Sequence, residues 1–223
     1  MCGRYTIAKA DRINEVVQNI TTPVKLNIVG RWNVAPSQMV PVILNEGREL
    51  AMVRWGLIPG WAKDEKVGWK MINARAETVA EKPSFRKALV KRRCLIPADG
   101  FYEWRKNPDG TKTPTYARLK TGDLFAFAGL WENWRNPEGE IVRSCTIITT
   151  TPNVLMKGIH DRMPVILPKE RYLQWIKHED MNAEDAVDLL KPFPAREMEA
   201  YAVSSKVNSP KNEGPELIER AGG

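Results

Sequence analysis

Short apolar runs bounded by turn residues dominate the chain, and few stretches carry helical spacing. Residues 39–45 (MVPVILN) and 49–56 (ELAMVRWG) predict two strands joined by a turn at Glu46-Gly47. Further strands are predicted at 94–97 (CLIP), 115–120 (TYARLK), 124–131 (LFAFAGLW) and 144–150 (SCTIITT). The connections carry turn signals, Asn107-Pro108-Asp109-Gly110 and Asn136-Pro137-Glu138-Gly139. MEAYAV (198–203) reads as a last strand, and residues 209–223 read as an extended tail.

Helical signals are fewer. Ile13, Val16, Val17 and Ile20 fall at i, i+3, i+4 and i+7 and predict a short helix over 10–20. Pro83 can open a second, through FRKALVKRR (85–93), and Pro168 a third that buries Tyr172, Leu173, Trp175 and Ile176. Asn182 caps another through AVDLL, closed by Pro192. Strands predominate, without βαβ alternation or internal repeats. The expected class is therefore α+β, a single domain built around a mainly antiparallel, barrel-like β-sheet with peripheral helices. No composition break divides the 223 residues, so one domain is expected over 1–223, with its core at about 2–208.

Composition narrows the chemistry. The chain holds no apolar run near the roughly 20 residues of a membrane span, and its start lacks the apolar core of a signal peptide. A cytoplasmic protein is expected. Cys2, Cys94 and Cys145 are too few and too widely spaced for a disulfide framework or a zinc site. With His160 and His178 the only histidines, neither metal nor cofactor is expected. The net charge of +7 suits a polyanionic partner. Trp104, Trp131 and Trp175 sit in apolar contexts and are expected in the core. Trp55, Trp61 and Trp69 lie in a Gly/Pro-broken, lysine-bearing stretch, where indoles can stack on unpaired bases. The basic run at Arg86, Lys87, Lys91, Arg92 and Arg93 reads as a solvated face, with phosphate contact as the alternative.

Cys2 is the sharpest chemical signal. A small residue after the initiator licenses removal of Met1, which leaves Cys2 with a free α-amine and a thiol on adjacent carbons. Their ordinary pKa values, about 7.7–8.0 and 8.5, keep both partly nucleophilic near neutrality. Such a 1,2-aminothiol condenses with an aldehyde to an imine, and the thiol then closes a thiazolidine ring. Three other segments are dense in polar residues: 72–78 (INARAET), 97–104 (PADGFYEW) and 159–164 (IHDRMP). They offer a carboxylate and an imidazole for proton transfer, an amide to orient, and guanidiniums for phosphate. Each also has a structural reading: Glu103 as a strand glutamate paired with an arginine, His160 as a loop cap, Asn73 as a turn residue, Arg75 and Glu77 as an ion pair.

Taken together, MCGRY, RWNVAP (31–36), WGLIPGW (55–61), INARAET, PADGFYEW, TTTPN (149–153) and GIHDRMPVIL (158–167) resemble the SRAP family, the SOS-response-associated peptidase or abasic-site-processing proteins. The resemblance runs in matching order from Cys2 to about Asn208. It implies a sensor of abasic sites in single-stranded DNA that forms a thiazolidine crosslink through Cys2, with associated peptidase (Met1-removing) and lyase activity. The matching positions assign catalysis to Cys2, Asn73, Glu103 and His160. They assign DNA contact to Arg4, Arg75 and Arg162, with Trp61 as a wedge against neighbouring bases. Trp61 and Trp69 are separated here, where some relatives pair two tryptophans. A monomer, associated with the nucleoid through DNA, is the corresponding expectation. Two rivals stay open: an N-terminal-nucleophile amidohydrolase such as a glutamine amidotransferase domain, and a non-catalytic binder of single-stranded or modified DNA.

Overall fold

The computed structural model describes residues 2–16, 28–177 and 181–222. Among the described residues, thirteen strands run in chain order. The first seven are β1 (Tyr5–Ile7), β2 (Arg31–Val34), β3 (Met39–Leu44), β4 (Glu49–Trp55), β5 (Asn73–Arg75), β6 (Arg93–Ala98) and β7 (Gly100–Lys106). They continue as β8 (Lys112–Leu119), β9 (Phe125–Arg135), β10 (Ile141–Thr150), β11 (Met163–Pro164), β12 (Ile166–Leu167) and β13 (Met198–Ala202). The described α-helices are short and peripheral: α1 (Arg86–Lys91), α2 (Tyr172–Ile176) and α3 (Ala183–Asp188).

Five strands close a barrel in the order β4-β3-β6-β9-β10, because β10 pairs with both β9 and β4. Every pairing in it is antiparallel except β10 with β4, which is parallel and makes the barrel mixed. Closure removes sheet edges and lets apolar runs be buried on both faces. Phe125 to Leu130 of β9 accordingly lie among the buried residues without a polar interruption. β3 carries Pro41, which has no N–H for a ladder; its pairing is continuous with β4, whereas against β6 it is limited to Ile43 with Leu95. A second sheet, β13-β8-β7-β1-β2, packs beside the barrel. The expected α+β class with a barrel-like sheet is what the chain forms.

Several local expectations need correction. Residues 10–15 of the expected 10–20 helix wind as a 3-10 turn, and Val17 and Ile20 lie outside the described residues. Leu173 does not join its helix's buried face; it is 55% exposed while Tyr172, Trp175 and Ile176 are buried. Trp55 belongs to the core, fully buried at the end of β4 with its indole N–H donating to the Ile72 carbonyl, so it is unavailable for stacking. Nor is the tail extended: residues 215–218 form a 3-10 turn and Leu217 is fully buried. Arg220 also bridges Val203. Apolar residues at 203, 207 and 217 cover Tyr102 and Tyr116, a small second core on the outer face of β7 and β8. Among the described residues, no helix is long and apolar enough to cross a membrane.

Candidate active site

Strand alternation on β7 places the carboxylate. Successive side chains point to opposite faces, so Tyr102 and Trp104 turn to the tail cluster while Phe101 and Glu103 turn the other way. Phe101 enters the main core, in the same cluster as Cys2. β1 runs antiparallel to β7, with Tyr5 opposite Phe101 and Thr6 opposite Gly100, and the Tyr102 N–H donates to the Arg4 carbonyl. This register carries the Cys2-Gly3 segment alongside Glu103. The close approach needs Gly100, since a Cβ there would lie 2.1 Å from the Tyr116 hydroxyl. That hydroxyl meets Thr6 at 2.9 Å, and the Asp99 carboxylate accepts from the Thr6 hydroxyl and the Lys9 N–H, pinning the segment that follows Cys2.

Burial sets the protonation states. The Cys2 side chain is fully buried, and burial, reinforced by the negative charge of Glu103, pushes its thiol well above the usual range. A backbone N–H of Arg4 acts in the opposite direction by hydrogen bonding to the sulfur. Glu103 is 3% exposed, and burial raises its carboxyl to about 7. It thus exchanges a proton near neutrality, as a general acid–base group must.

His160 approaches Glu103 from the loop between β10 and β11, with Nε2 3.9 Å from Glu103 Oε2, beyond direct hydrogen-bonding distance. Its Nδ1 accepts the Arg162 backbone N–H at 3.0 Å, so the neutral ring carries its proton on Nε2, towards Glu103. Burial lowers its pKa, which favours that neutral form. Asp161 Oδ1 lies 2.8 Å from the same Nδ1 and becomes its acceptor once the ring is protonated.

Beside this group lies an open depression of about 670 Å³ lined by Arg75, Glu77, Thr78, His160, Asp161 and Arg162. β5 pairs in parallel with β10, Asn73 opposite Ile147 and Arg75 opposite Thr149, and β11 flanks Thr149 on the other side. Arg75 is exposed on the rim. Arg162 makes a two-pronged ion pair with Glu77 at 2.6 and 2.9 Å and donates to the Thr149 carbonyl. Glu77 therefore pairs with Arg162 rather than with Arg75, two positions away. Asn73 shares the strand face of Arg75; its amide N–H donates to the Ile72 carbonyl, and its buried Oδ1 has no hydrogen-bond partner.

The remaining candidates sit apart from this depression. Arg4 donates to Asn33 Oδ1 and the Val207 carbonyl at 2.7 and 2.8 Å and lies over the Trp104 ring, so its guanidinium faces the tail. Trp61 and Trp69 are 63% and 56% exposed. Asn33, Asp161 and the Glu77–Arg162 pairing are site features the sequence does not single out, because each depends on a partner brought in by folding. Among the described residues, no group of three or more His, Cys, Asp or Glu side chains is placed to hold a metal ion.

Comparison with known proteins gives the family. The family described as SOS response associated peptidase (SRAP) matches residues 1–210. Abasic site processing protein YoqW of Bacillus subtilis (strain 168) is 52% identical over 224 residues, covering 98% of this chain and 99% of its own length. Abasic site processing protein HMCES of Xenopus tropicalis is 33% identical over 220 residues, covering 84% of this chain and 65% of that one. A crystal structure of a protein from Bacteroides thetaiotaomicron superposes with a TM-score of 0.89 at 30% identity, covering 99% of this chain and 100% of the other. The chain belongs to the SOS response associated peptidase (SRAP) family.

Proposed function

We propose that the protein processes abasic sites in single-stranded DNA by capturing them covalently on Cys2 after Met1 has been removed. The observation that carries this reading is the buried Glu103, with its carboxyl at about 7, next to the Cys2 thiol and facing His160, beside a depression rimmed by Arg75 and Arg162. The names of the relatives point to the same lesion.

The chemistry balances with these groups alone. An abasic deoxyribose is a hemiacetal; removing the proton of its C1′ hydroxyl and protonating the ring oxygen opens it to the aldehyde. His160 serves as the proton shuttle for that step. The Cys2 amine adds to C1′, and loss of water leaves an imine. The thiol then adds to the imine carbon, forming the C–S bond while the C=N electron pair returns to nitrogen, which takes a proton. Glu103 accepts the thiol proton. The net change is one water lost. Asn73, whose buried Oδ1 lacks a partner, orients the cysteine or the sugar hydroxyl. Arg75 and Arg162 hold phosphates flanking the lesion, Arg162 exchanging Glu77 for one of them. Arg4 acts on the bound strand indirectly, bracing the Cys2 segment against Asn33 and the tail. Trp61 stacks against a neighbouring base.

The imine also allows β-elimination, so a lyase outcome competes with ring closure. Removal of Met1 is the peptide cleavage this reading requires, and we assign it to the chain itself. Such a protein acts as a monomer in the cytoplasm, on the nucleoid.

The test is a denaturing gel with intact-mass analysis, using a single strand bearing one abasic site beside the undamaged strand. Wild-type protein lacking Met1 should give a heat-stable adduct on the damaged strand only, lighter by one water than the sum of its parts. Cys2→Ser keeps the amine, so it should give imine-derived strand cleavage without a durable adduct. Equal durability of the two adducts would exclude the thiazolidine.

A further inference from the structure

The chain's basic excess is localised. Residues 82–93 contain Lys82, Arg86, Lys87, Lys91, Arg92 and Arg93 and no acidic residue, +6 against +7 for the whole protein. Folding sorts these six. Arg93 is withdrawn into the core, where backbone carbonyls receive it, and Arg92 is paired with Glu132 at 2.6 Å. Lys82, Arg86, Lys87 and Lys91 are exposed and form no ion pair among the described residues. Arg86, Lys87, Lys91 and Arg92 line an open groove of about 650 Å³, whose other walls are Ala80, Val90 and Ala183. Among the described residues, no carboxylate lines it. A concave surface of three unpaired cations, Arg86, Lys87 and Lys91, beside the paired Arg92, with apolar walls and no acid among the described residues, suits a polyanion rather than a cationic ligand.

The groove adjoins the site depression. Thr78 lines the depression, and Ala80, two residues on, lines the groove. Two residues of extended chain span at most about 7 Å. The link is wound tight: the Lys82 N–H donates to the Thr78 carbonyl and the Arg86 N–H to the Lys82 carbonyl, so α1 starts close behind the rim. A phosphodiester backbone held at Arg75 and Arg162 would meet the cations of α1 next.

We propose that the α1 groove is a second phosphate-binding site, which holds the single-stranded DNA that leaves the lesion pocket. The position of the strand rests on the capture reading above; the groove supplies length-dependent affinity and no chemistry. Single-strand binding loses about 0.7 in its salt slope for each phosphate contact removed.

The experiment compares wild type with the triple variant Arg86→Gln/Lys87→Gln/Lys91→Gln. A control, Arg171→Gln/Lys206→Gln/Lys211→Gln, removes the same charge from exposed positions elsewhere. Binding to undamaged single strands of about thirty nucleotides is titrated over a range of salt concentrations, where the groove variant should lose up to about 2 in slope and at least tenfold in affinity. The control should stay near wild type. A trinucleotide, too short to leave the pocket, should bind all three proteins alike. Equal slopes for groove variant and wild type on the long strand, or an equal loss in the control, would overturn the groove. Crosslinking of an abasic trinucleotide separates the two readings. If wild type forms no adduct there while long-strand binding still depends on α1, the Cys2 chemistry fails and the groove stands.

Discussion

Glu103 owes its proposed role to burial, and burial has a thermodynamic cost that can be read separately from activity. Its folded pKa of about 7 lies above the ordinary value of about 4.3 for a glutamate. Below the lower value both folded and unfolded chains carry the proton, and Glu103 costs nothing. As pH rises through that interval the unfolded chain ionises first, so the folded state loses stability until about pH 7 and gains none back above it. Glu103→Gln removes the charge and keeps the shape. At pH 8 it should unfold at higher temperature than wild type, by a free energy on the order of 3–4 kcal/mol, and at pH 5 the gap should shrink to about 1 kcal/mol. Capture by the variant should fail at both pH values, while the wild-type rate climbs through pH 7 as Glu103 ionises. Thermal unfolding at the two pH values decides it. A lower melting temperature for the variant at pH 8 would mean that the charged carboxylate stabilises the fold.

Among the elements, α1 and α2 are too short to be stable alone and depend on what meets their ends. Arg93, at the start of β6, is fully buried and pairs with no carboxylate among the described residues. Its guanidinium donates instead to the Leu89 and Val90 carbonyls of α1 and to the Trp175 and Lys177 carbonyls at the end of α2. One cation thus satisfies the orphan carbonyls of two helix C-termini, where the helix dipoles favour positive charge. Arg93→Met keeps the apolar stem but leaves these acceptors buried and unpaired, and should cost about 2–4 kcal/mol in urea unfolding with an unchanged slope. Sequence reading places Arg93 with its neighbours on a solvated face, because a run of five cations gives no sign of which one the register turns inward.

The same limit explains what else was legible. The β3–β4 hairpin and β9 stand out because long apolar runs between turn residues need no tertiary information. β5 and β11 are too short to have a pattern of their own and exist by pairing with β10. Cys2, Glu103 and His160 are recognisable from their local motifs, yet their meeting depends on the register of β1 on β7 and on the loop after β10. Arg162 and Glu77, 85 positions apart, have no local signature that pairs them.

At the scale of the whole molecule, the two ends of the chain hold each other. The Asn33 amide nitrogen, on β2, donates to the carbonyls of Ser209 and Asn212, and its oxygen accepts from Arg4. Glu213 accepts from Arg31 and from the Trp32 backbone N–H. Leu217, fully buried against the tyrosine cluster, anchors the segment that presents these carbonyls. The tail is therefore a strap across β2, and Arg4 links it to the segment that carries Cys2 two residues upstream. Leu217→Ala removes the anchor at a peripheral cluster that can partly collapse, so the loss should sit near the low end for buried leucines, about 2 kcal/mol. If the strap positions Cys2 through Arg4, the variant should also capture abasic strands several-fold more slowly at a temperature where it remains folded. Arg4→Gln should slow capture similarly, and the double variant should be little slower than either alone, because both act through one linkage. Multiplicative slowing in the double variant would separate the tail from the site and leave Leu217 a residue of stability only.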